Sequence, residues 1–586
     1  MNSLIAGILF WVVMLAAAWL VRPGSRLLGI TMERWNIWHR LATVLVLAAL
    51  IASSSYLMTL CPMWNGEITA QLMEETKAVA AELAEEKTKQ DAAGTTDAAA
   101  KGQEEWMKKA VQAMGSEEAN QDPDRYAIKN KNQYELTADA FLNGQLYLDY
   151  GDMDPRLLAM SNPYDTKARR ELGVRYHWDH AFYNGHYYMY FGVVPVFLLF
   201  IPYKLITGVS LTTYHATQIF AGLSMIGLFA FFRLLSKRFF PKLSFVVYLL
   251  LGAAVSLTSM VHCIAKPAMY LTAFAAAFCM EIWSVYFYVK AVWATENENR
   301  AIFRAFLGAL LGALAFGCRP SIALGNLIVI PCLIVFMRQR KITGRLILKL
   351  AAAALPYFII GALLMFYNYV RFDSPFEFGQ SYQLTVADQS SYGSFFSRLS
   401  GRALLNGATY FFTRSEDLIS DFPYVTEGGM FYTYPVYIAG LYALTSKKVR
   451  AALRTNKLVL FLLGGMFTIG VIILMDIVWS PYLLARYRED VAWLLGMLVF
   501  LAVGMRYADG RGTGGDAGLS GGTAELSDEA AEPCEEAREF SSAVCLLALY
   551  SMLVCAFVFI QLDMKFFTPE QIAVIKKIVG AITFGV

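Results

Sequence analysis

The sequence predicts an all-α, polytopic integral membrane protein of about twelve transmembrane helices, with a long first extracytoplasmic loop and interfacial helices. Three observations predict it. Of 586 residues, 57% are hydrophobic and only 17% charged, against about 45–50% apolar and about 25% charged in a soluble domain. Apolar runs long enough to cross a bilayer recur along the chain, and Lys and Arg gather in alternate short links between them. The 40 Phe, 32 Tyr and 11 Trp exclude disorder for the bulk of the chain. A net charge of +3 with no basic block argues against a nucleic-acid partner. The eight Cys form no CxxC pair and lie mostly inside apolar runs, as small core residues do.

A bilayer core takes roughly 20 apolar residues per helix. The runs are 2–21, 41–60, 213–232, 243–261, 268–289, 303–318, 321–337, 350–370, 429–446, 458–479, 490–505 and 541–562. The first resembles a signal peptide, but Met-Asn-Ser gives no positive leader and Arg22 follows the run, so a signal anchor is expected. Short links rich in Lys and Arg stay in the cytoplasm. Segments 22–40, 233–242, 338–349 and 447–457 each carry at least four such residues, and with twelve spans all four fall on that side. The thirteenth apolar run, 192–208, would invert every later link if it crossed. It also holds Pro195, Pro202 and Lys204, so it is expected to lie in the outer interface.

The chain then divides into two N-terminal helices (1–60), a first extracytoplasmic loop (61–212), a transmembrane core (213–370), a second outer loop (371–428) and further transmembrane helices (429–505). A cytoplasmic flexible linker (506–540) and a last helix with an outer tail (541–586) complete it. Inside the first loop, 67–120 is rich in Ala, Glu and Lys and reads as an inserted helical segment. The stretch 509–540 is Gly-rich and then acidic; with no preceding strand and no Gly-Lys-Ser/Thr it reads as a linker, not a phosphate loop.

Polar residues at a membrane boundary are costly and often functional. The densest stretch runs NQYELTADAFLNGQLYLDY (132–150) and SNPYDTKARRELGVRYHWDHAFYNGHYYMYFGVVPV (161–196). Asp165 and Asp179 stand there among aromatics, of which Tyr183, Tyr188 and Tyr190, with His186, suit contacts to a sugar. Two readings of the carboxylates stand. Either can serve as a general base toward a hydroxyl; or Asp165 caps the turn after Asn-Pro-Tyr and Asp179 pairs with a neighbouring Arg. His177 and His180 are spaced for one face of a helix, but no HExxH pattern accompanies them, and an aromatic and polar loop surface is preferred to a zinc site. Cations recur at outer helix ends: Lys266, Arg319, Arg371 and Arg486. Singly each reads as a snorkelling side chain; converging on one cavity they would form a phosphate clamp. Glu281 and Asp476 are acids within spans.

The chain resembles the GT-C superfamily of integral membrane glycosyltransferases, the broad group that includes the lipid A aminoarabinose transferases and protein mannosyltransferases. The resemblance rests on the QYxxxADAFLxGxLYLD pattern in the first outer loop, NPYD, WDHAFYNGHYYMYFGVVP before the interfacial run, GCRPS at 317–321, YNYVRFDSPFEFGQSYQLT at 367–385 and RYRED at 486–490. It implies a cell-membrane hexosyl or pentosyl transferase of the cell envelope, active on the extracytoplasmic face. A polyprenyl-phosphate-linked sugar would be the donor and a glycan, lipid or protein the acceptor, with inversion at the anomeric carbon. By the same resemblance Asp179 or Asp165 is the base, with Glu135 a further acid in the same stretch. Arg319, Arg371, Arg486 and Lys266 hold the donor phosphate, and Tyr183, His186, Tyr188, Tyr190 and Glu377 contact substrate. No cofactor is implied with certainty; a divalent metal serves some relatives, and no metal ligands are assigned. The alternatives are a glycan ligase or polymerase using a lipid-pyrophosphate donor, and a lipid or polysaccharide transporter, for which paired repeats and interrupted spans are expected.

Overall fold

The computed structural model describes residues 2–59, 126–128, 132–385, 399–414, 427–479, 483–508 and 535–564. The expected insertion at 67–120 lies outside the described residues, as do most of the linker at 506–540 and the tail beyond 564. What is described is mostly helical, an all-α polytopic membrane protein with little sheet.

The apolar runs become helices α1 (Asn2–Leu20), α2 (Ile37–Thr59), α3 (Thr213–Phe239), α4 (Phe245–Thr258), α5 (Met269–Trp293), α6 (Glu298–Phe316), α7 (Pro320–Arg338), α8 (Gly344–Phe372), α9 (Val436–Thr445), α10 (Val459–Trp479), α11 (Ala485–Tyr507) and α12 (Glu535–Met564). Among the described residues nine of them are long and apolar enough to cross a membrane. The described apolar parts of α1, α4 and α9 are shorter, and so is Val196–Thr207, which falls well below the roughly 20 residues a bilayer core takes. Lys204 pairs with Asp139 there, while Phe197, Leu205, Ile206 and Val209 stay exposed, an apolar face suited to a membrane interface.

Helix α5 is the centre of the bundle, buried along nearly its whole length between α3 and α6. Its Ala-rich run, AFAAAFC, lets backbones approach closely, as small residues do between membrane helices. Gly308 and Gly312 of α6 continue the pattern: a methyl group on Gly308 would meet the Tyr288 ring at 2.9 Å, and one on Gly312 would meet Asn326. Helix α8 is peripheral and leaves Leu348, Phe358, Leu363 and Phe366 exposed, a strip that hydrocarbon would cover.

The four basic segments come together at one end of the bundle. Met32 N–H donates to Leu243 O and Phe245 N–H to Ile30 O, joining the first segment to the second. Arg238 reaches Trp293 O, Arg340 reaches Thr295 O, and the Trp293 indole donates to Asn456 O. The other end holds the loops. There β1 (Ala127–Ile128) runs parallel to β2 (Tyr176–His177), and a three-stranded antiparallel sheet has the order β4-β3-β5, from β3 (His180–Tyr183), β4 (His186–Tyr188) and β5 (Gln383–Leu384). Asn184 and Gly185, at φ 47° and 78°, close β3 onto β4; Asn-Gly is the favoured pair for such a two-residue turn. Strand β5 belongs to the second loop, so the sheet fastens one loop to the other.

The loop end is set on the bundle at one tight contact. Val194 N–H donates to Gly317 O at 3.0 Å, and Gly192 lies so close that a methyl group there would stand 2.1 Å from Cys318 O. Because that neighbour is backbone, the site has no flexible atom to yield. Gly192→Ala is therefore expected to destabilise the protein by about 3 kcal/mol, the upper part of the overpacking range. Gly361→Ala, which meets nothing within 4 Å, is expected to leave thermal unfolding in detergent unchanged.

Candidate functional site

The loop-end sheet brings Asp179 to the mouth of the bundle. Asp179 sits between β2 and β3 with φ 56°, a left-handed conformation that a non-glycine residue adopts at a cost of roughly 1–2 kcal/mol. Backbone contacts on both sides hold it there: its N–H donates to Leu384 O at 2.9 Å, and its carbonyl accepts from Gln133 Nε2 at 3.1 Å. The carboxyl group is 6% exposed as part of the residue. Gln383 Nε2 donates to Oδ1 at 2.9 Å, and both the Trp178 indole and the Tyr270 hydroxyl donate to Oδ2. Three donors on one carboxylate fix its direction, and they come from the first loop, from β5 and from the first turn of α5.

Tyr270 links the acid to a cation. Its hydroxyl is on Asp179, while Arg486 lies over its ring with Cζ 5.0 Å from the centroid. Arg486 is half-buried, and its side chain makes no hydrogen bond or ion pair among the described residues. Arg319 is placed differently. Its Nε and Nη2 grip both oxygens of the fully buried Asp490, at 2.9 and 2.7 Å, and its guanidinium lies 3.7 Å over Phe274. Asp476 stands beside that pair. Both arginines lie beside the Tyr487 ring, their Cζ atoms 5.5 and 5.6 Å from its centroid, and Tyr190 feels the charges of Asp179 and of both arginines. Burial and the Asp179 charge push its phenol well above the ordinary value, with Arg486 and Arg319 pulling the other way. Asp179, Tyr190, Arg319 and Arg486 thus form one cluster.

The remaining residues named from the sequence have other partners. Asp165 caps the helix Thr166–Glu171, accepting from Lys167 N–H at 2.9 Å and Ala168 N–H at 3.1 Å. Arg371 is buried beside Tyr367 and Phe372, pinning Met189 O at 2.9 Å and Asn368 Oδ1 at 2.9 Å. Lys266 ends the short helix Val261–Ala265, four residues before Tyr270. Glu377 closes its own turn by accepting from Gly379 N–H at 2.6 Å. Tyr183 and Tyr188 pack with Phe372 in one aromatic cluster beside Arg371, Tyr183 donating to Asp373 at 3.0 Å. His186 is exposed, stacked 4.1 Å from Tyr147.

Helical spacing does not describe the histidines. His177 ends β2 and His180 opens β3; His177 pairs with buried Asp152 at 2.9 Å, and His180 meets Tyr150 at 2.6 Å. No cluster of three or more His, Cys, Asp or Glu placed to hold a metal ion occurs among the described residues. Glu135 caps the start of α3 through the Thr213 hydroxyl at 2.7 Å and its N–H. Burial raises its carboxyl to about 7, against the pull of those donors. Glu281 meets Asn326, an internal partner within the bundle.

Tyr270, Trp178 and Gln383 carry much of the site, and the sequence reading did not single them out. Trp178 directly precedes Asp179, Tyr270 follows Lys266 by four residues, and Gln383 lies in the stretch that opens with Arg371.

A second buried cluster stands behind Arg319. His262 Nε2 lies 3.1 Å from Glu427 and its Nδ1 3.6 Å from Glu489, whose carboxylate also accepts from the His262 backbone N–H at 2.6 Å, while Arg488 holds Glu427 O at 2.9 Å. Burial opposes the imidazolium charge, but Glu427 and Glu489 outweigh it and raise the pKa to about 9. A histidine raised above its unfolded value of about 6.5 stabilises the fold fully below pH 6.5. That contribution is lost as pH climbs through about 9. Unfolding temperature is therefore expected to fall across this window, and His262→Gln to remove most of that fall while lowering stability at neutral pH.

Compared with family models, with curated proteins and with solved structures, the chain matches none.

Proposed function

We propose that the protein is a multi-pass cell-membrane glycosyltransferase of GT-C type, with about twelve spans and the loop end facing outward. It would move a sugar from a polyprenyl-phosphate donor to a cell-envelope acceptor. The observation that carries this reading is Tyr270, which places a buried carboxylate beside an arginine that makes no ion pair among the described residues. A structural ion pair would bring Asp179 and Arg486 into direct contact; a site for two substrates keeps base and cation apart.

In this reading the acceptor hydroxyl oxygen attacks the anomeric carbon, and its proton passes to the Asp179 carboxylate. The bond from that carbon to the phosphate oxygen breaks on the opposite side, which inverts the centre, and the lipid phosphate leaves with the electron pair. Arg486 meets the charge growing on that phosphate, as electrostatic stabilisation of a leaving group requires. Arg319, held by Asp490, stands as a fixed wall of the same cluster. The aromatic cluster around Tyr183 and Tyr188 gives sugar faces a stacking surface. Asp165 and Arg371 take no part in the transfer: one is occupied as a helix cap and the other as a pin on the loop backbone.

With the purified full chain and a polyprenyl-phosphate-linked sugar, release of polyprenyl phosphate is the measurement. Asp179→Asn is expected to slow it by about 10²–10⁴-fold, the range for loss of a general base. Arg486→Gln is expected to cost about 10²–10³-fold, and Asp165→Asn to stay within about twofold of the parent chain, a difference of under 1 kcal/mol. Full activity in Asp179→Asn, or release from a lipid-pyrophosphate donor only, would reject the assignment.

A further inference from the structure

At the basic end, the last turns of α3 and α5, the first turn of α6 and the link after α7 enclose a cavity of about 1400 Å³. It lies at the opposite end of α3 and α5 from Asp179, and nothing in the transfer reading uses it. Seven cations line it against one carboxylate, Glu296. None of the seven makes an ion pair among the described residues, whereas nearby Lys349 is neutralised by Glu298. Four of them are held in place by uncharged partners. Arg238 donates to Trp293 O at 2.6 Å, Lys290 to the Tyr286 hydroxyl at 2.8 Å, Arg304 to Ala294 O at 3.2 Å and Arg340 to Thr295 O at 3.3 Å. These contacts fix the side chains without cancelling their charge. A second nitrogen of Arg340, Nη1, is buried with no hydrogen-bond partner. The others, Arg233, Lys237 and Arg300, are exposed at the rim.

One face of α3 supplies the second half of the argument. Ile219, Leu223 and Ile226 are exposed at 40%, 40% and 39%, and the same face continues through Ala230 into Arg233 and Lys237. Steps of four and three residues keep all six positions in one line along the helix. A ligand lying on that line meets an apolar strip first and a cationic cavity at its end. A soluble phosphate would use only the cavity; an acyl chain below a phosphodiester uses both.

We propose that this cavity binds the phosphate head group of an anionic phospholipid, with an acyl chain along the Ile219–Ile226 face of α3. Basic pockets between membrane helices hold such head groups by charge and by forked hydrogen bonds from Arg. The general excess of basic residues at this end predicts no such preference for one cavity. The Lys447, Lys448 and Arg454 cluster on another helix of the same end serves as the comparison.

The test uses the full chain in vesicles of phosphatidylcholine, with and without phosphatidylglycerol. Retained phosphatidylglycerol is counted by native mass spectrometry, and the unfolding temperature is followed in parallel. The parent chain is expected to retain phosphatidylglycerol and to unfold at a higher temperature with it. Removing three rim charges, as Arg233→Gln, Lys237→Gln and Arg300→Gln together, should weaken retention about fivefold per charge and on the order of a hundredfold in total. If that chain does not fold, Lys237→Gln alone should show about a fivefold loss. Lys447→Gln, Lys448→Gln and Arg454→Gln together should leave retention unchanged. Equal losses from both sets would overturn the proposal, as would stabilisation by inorganic phosphate in phosphatidylcholine vesicles matching that by phosphatidylglycerol. None of these readouts depends on sugar transfer.

Discussion

The Asp179 carboxylate ties together three parts of the chain that are distant in sequence. A charge this far out of water needs donors, and here Trp178, Gln383 and Tyr270 supply them from the first loop, the second loop and a membrane helix. The loops therefore cannot settle independently of the bundle. Removing Gln383 would strip a donor from a buried carboxylate and also loosen β5 from β3, since Asp179 N–H and Leu384 O share the same register. The left-handed backbone at Asp179 fits this picture. Strain of that kind persists only where its surroundings over-determine it, and here contacts from both flanking elements do so.

The arginines at the same end differ by partner rather than by position, and that decides which of them can serve a ligand. Arg319 is engaged by Asp490 through two parallel hydrogen bonds, a geometry that spends most of a guanidinium's directional capacity on one carboxylate. Breaking such a buried pair leaves an uncompensated charge, which is why it acts as a fixed wall of the site. Arg371 is engaged by a carbonyl and an amide, so its charge is retained, but its donors hold Met189 and Asn368. Among the described residues the Arg486 side chain has the rings of Tyr270 and Tyr487 beside it and makes no hydrogen bond or ion pair. A ring face attracts a cation without occupying its N–H groups, so Arg486 keeps its donors for whatever anion enters.

The helices were legible from the sequence because apolar length and the placement of Lys and Arg are properties of single segments. The runs at 321–337 and 458–479 match α7 and α10 to within one residue at each end, and 213–232 continues into α3 by seven residues that include Arg233, Lys237 and Arg238. The loop end was less legible. Asp165 and Asp179 look alike in sequence, each an acid among aromatics. What separates them is whether the backbone N–H groups two and three residues on turn back to the carboxylate. The Asn184-Gly185 turn was a local signal for a hairpin, and it explains why His177 and His180 sit on strands instead of one helix face. Tyr270 and Gln383 had no local signal. Their roles arise from contacts with a residue 91 and 204 positions away, and sequence periodicity carries no information at that range.

The cavity at the basic end follows from how the bundle is packed. Through the middle of α5, Ala273, Ala275, Ala276 and Ala277 let α3 and α6 come close, and Gly227, Gly308 and Gly312 remove the side chains that would hold them off. Toward the basic end Tyr286, Lys290 and Arg304 line the space between the helices, with Arg300 at its rim. Backbones cannot approach as closely around such side chains, and cations repel one another unless something negative lies between them. Carbonyl oxygens at Trp293, Ala294 and Thr295 meet part of that need, but partial charges do not balance seven whole ones. Tight packing in the middle and long cations at the end thus produce an open, positively charged space where the helices leave the apolar layer.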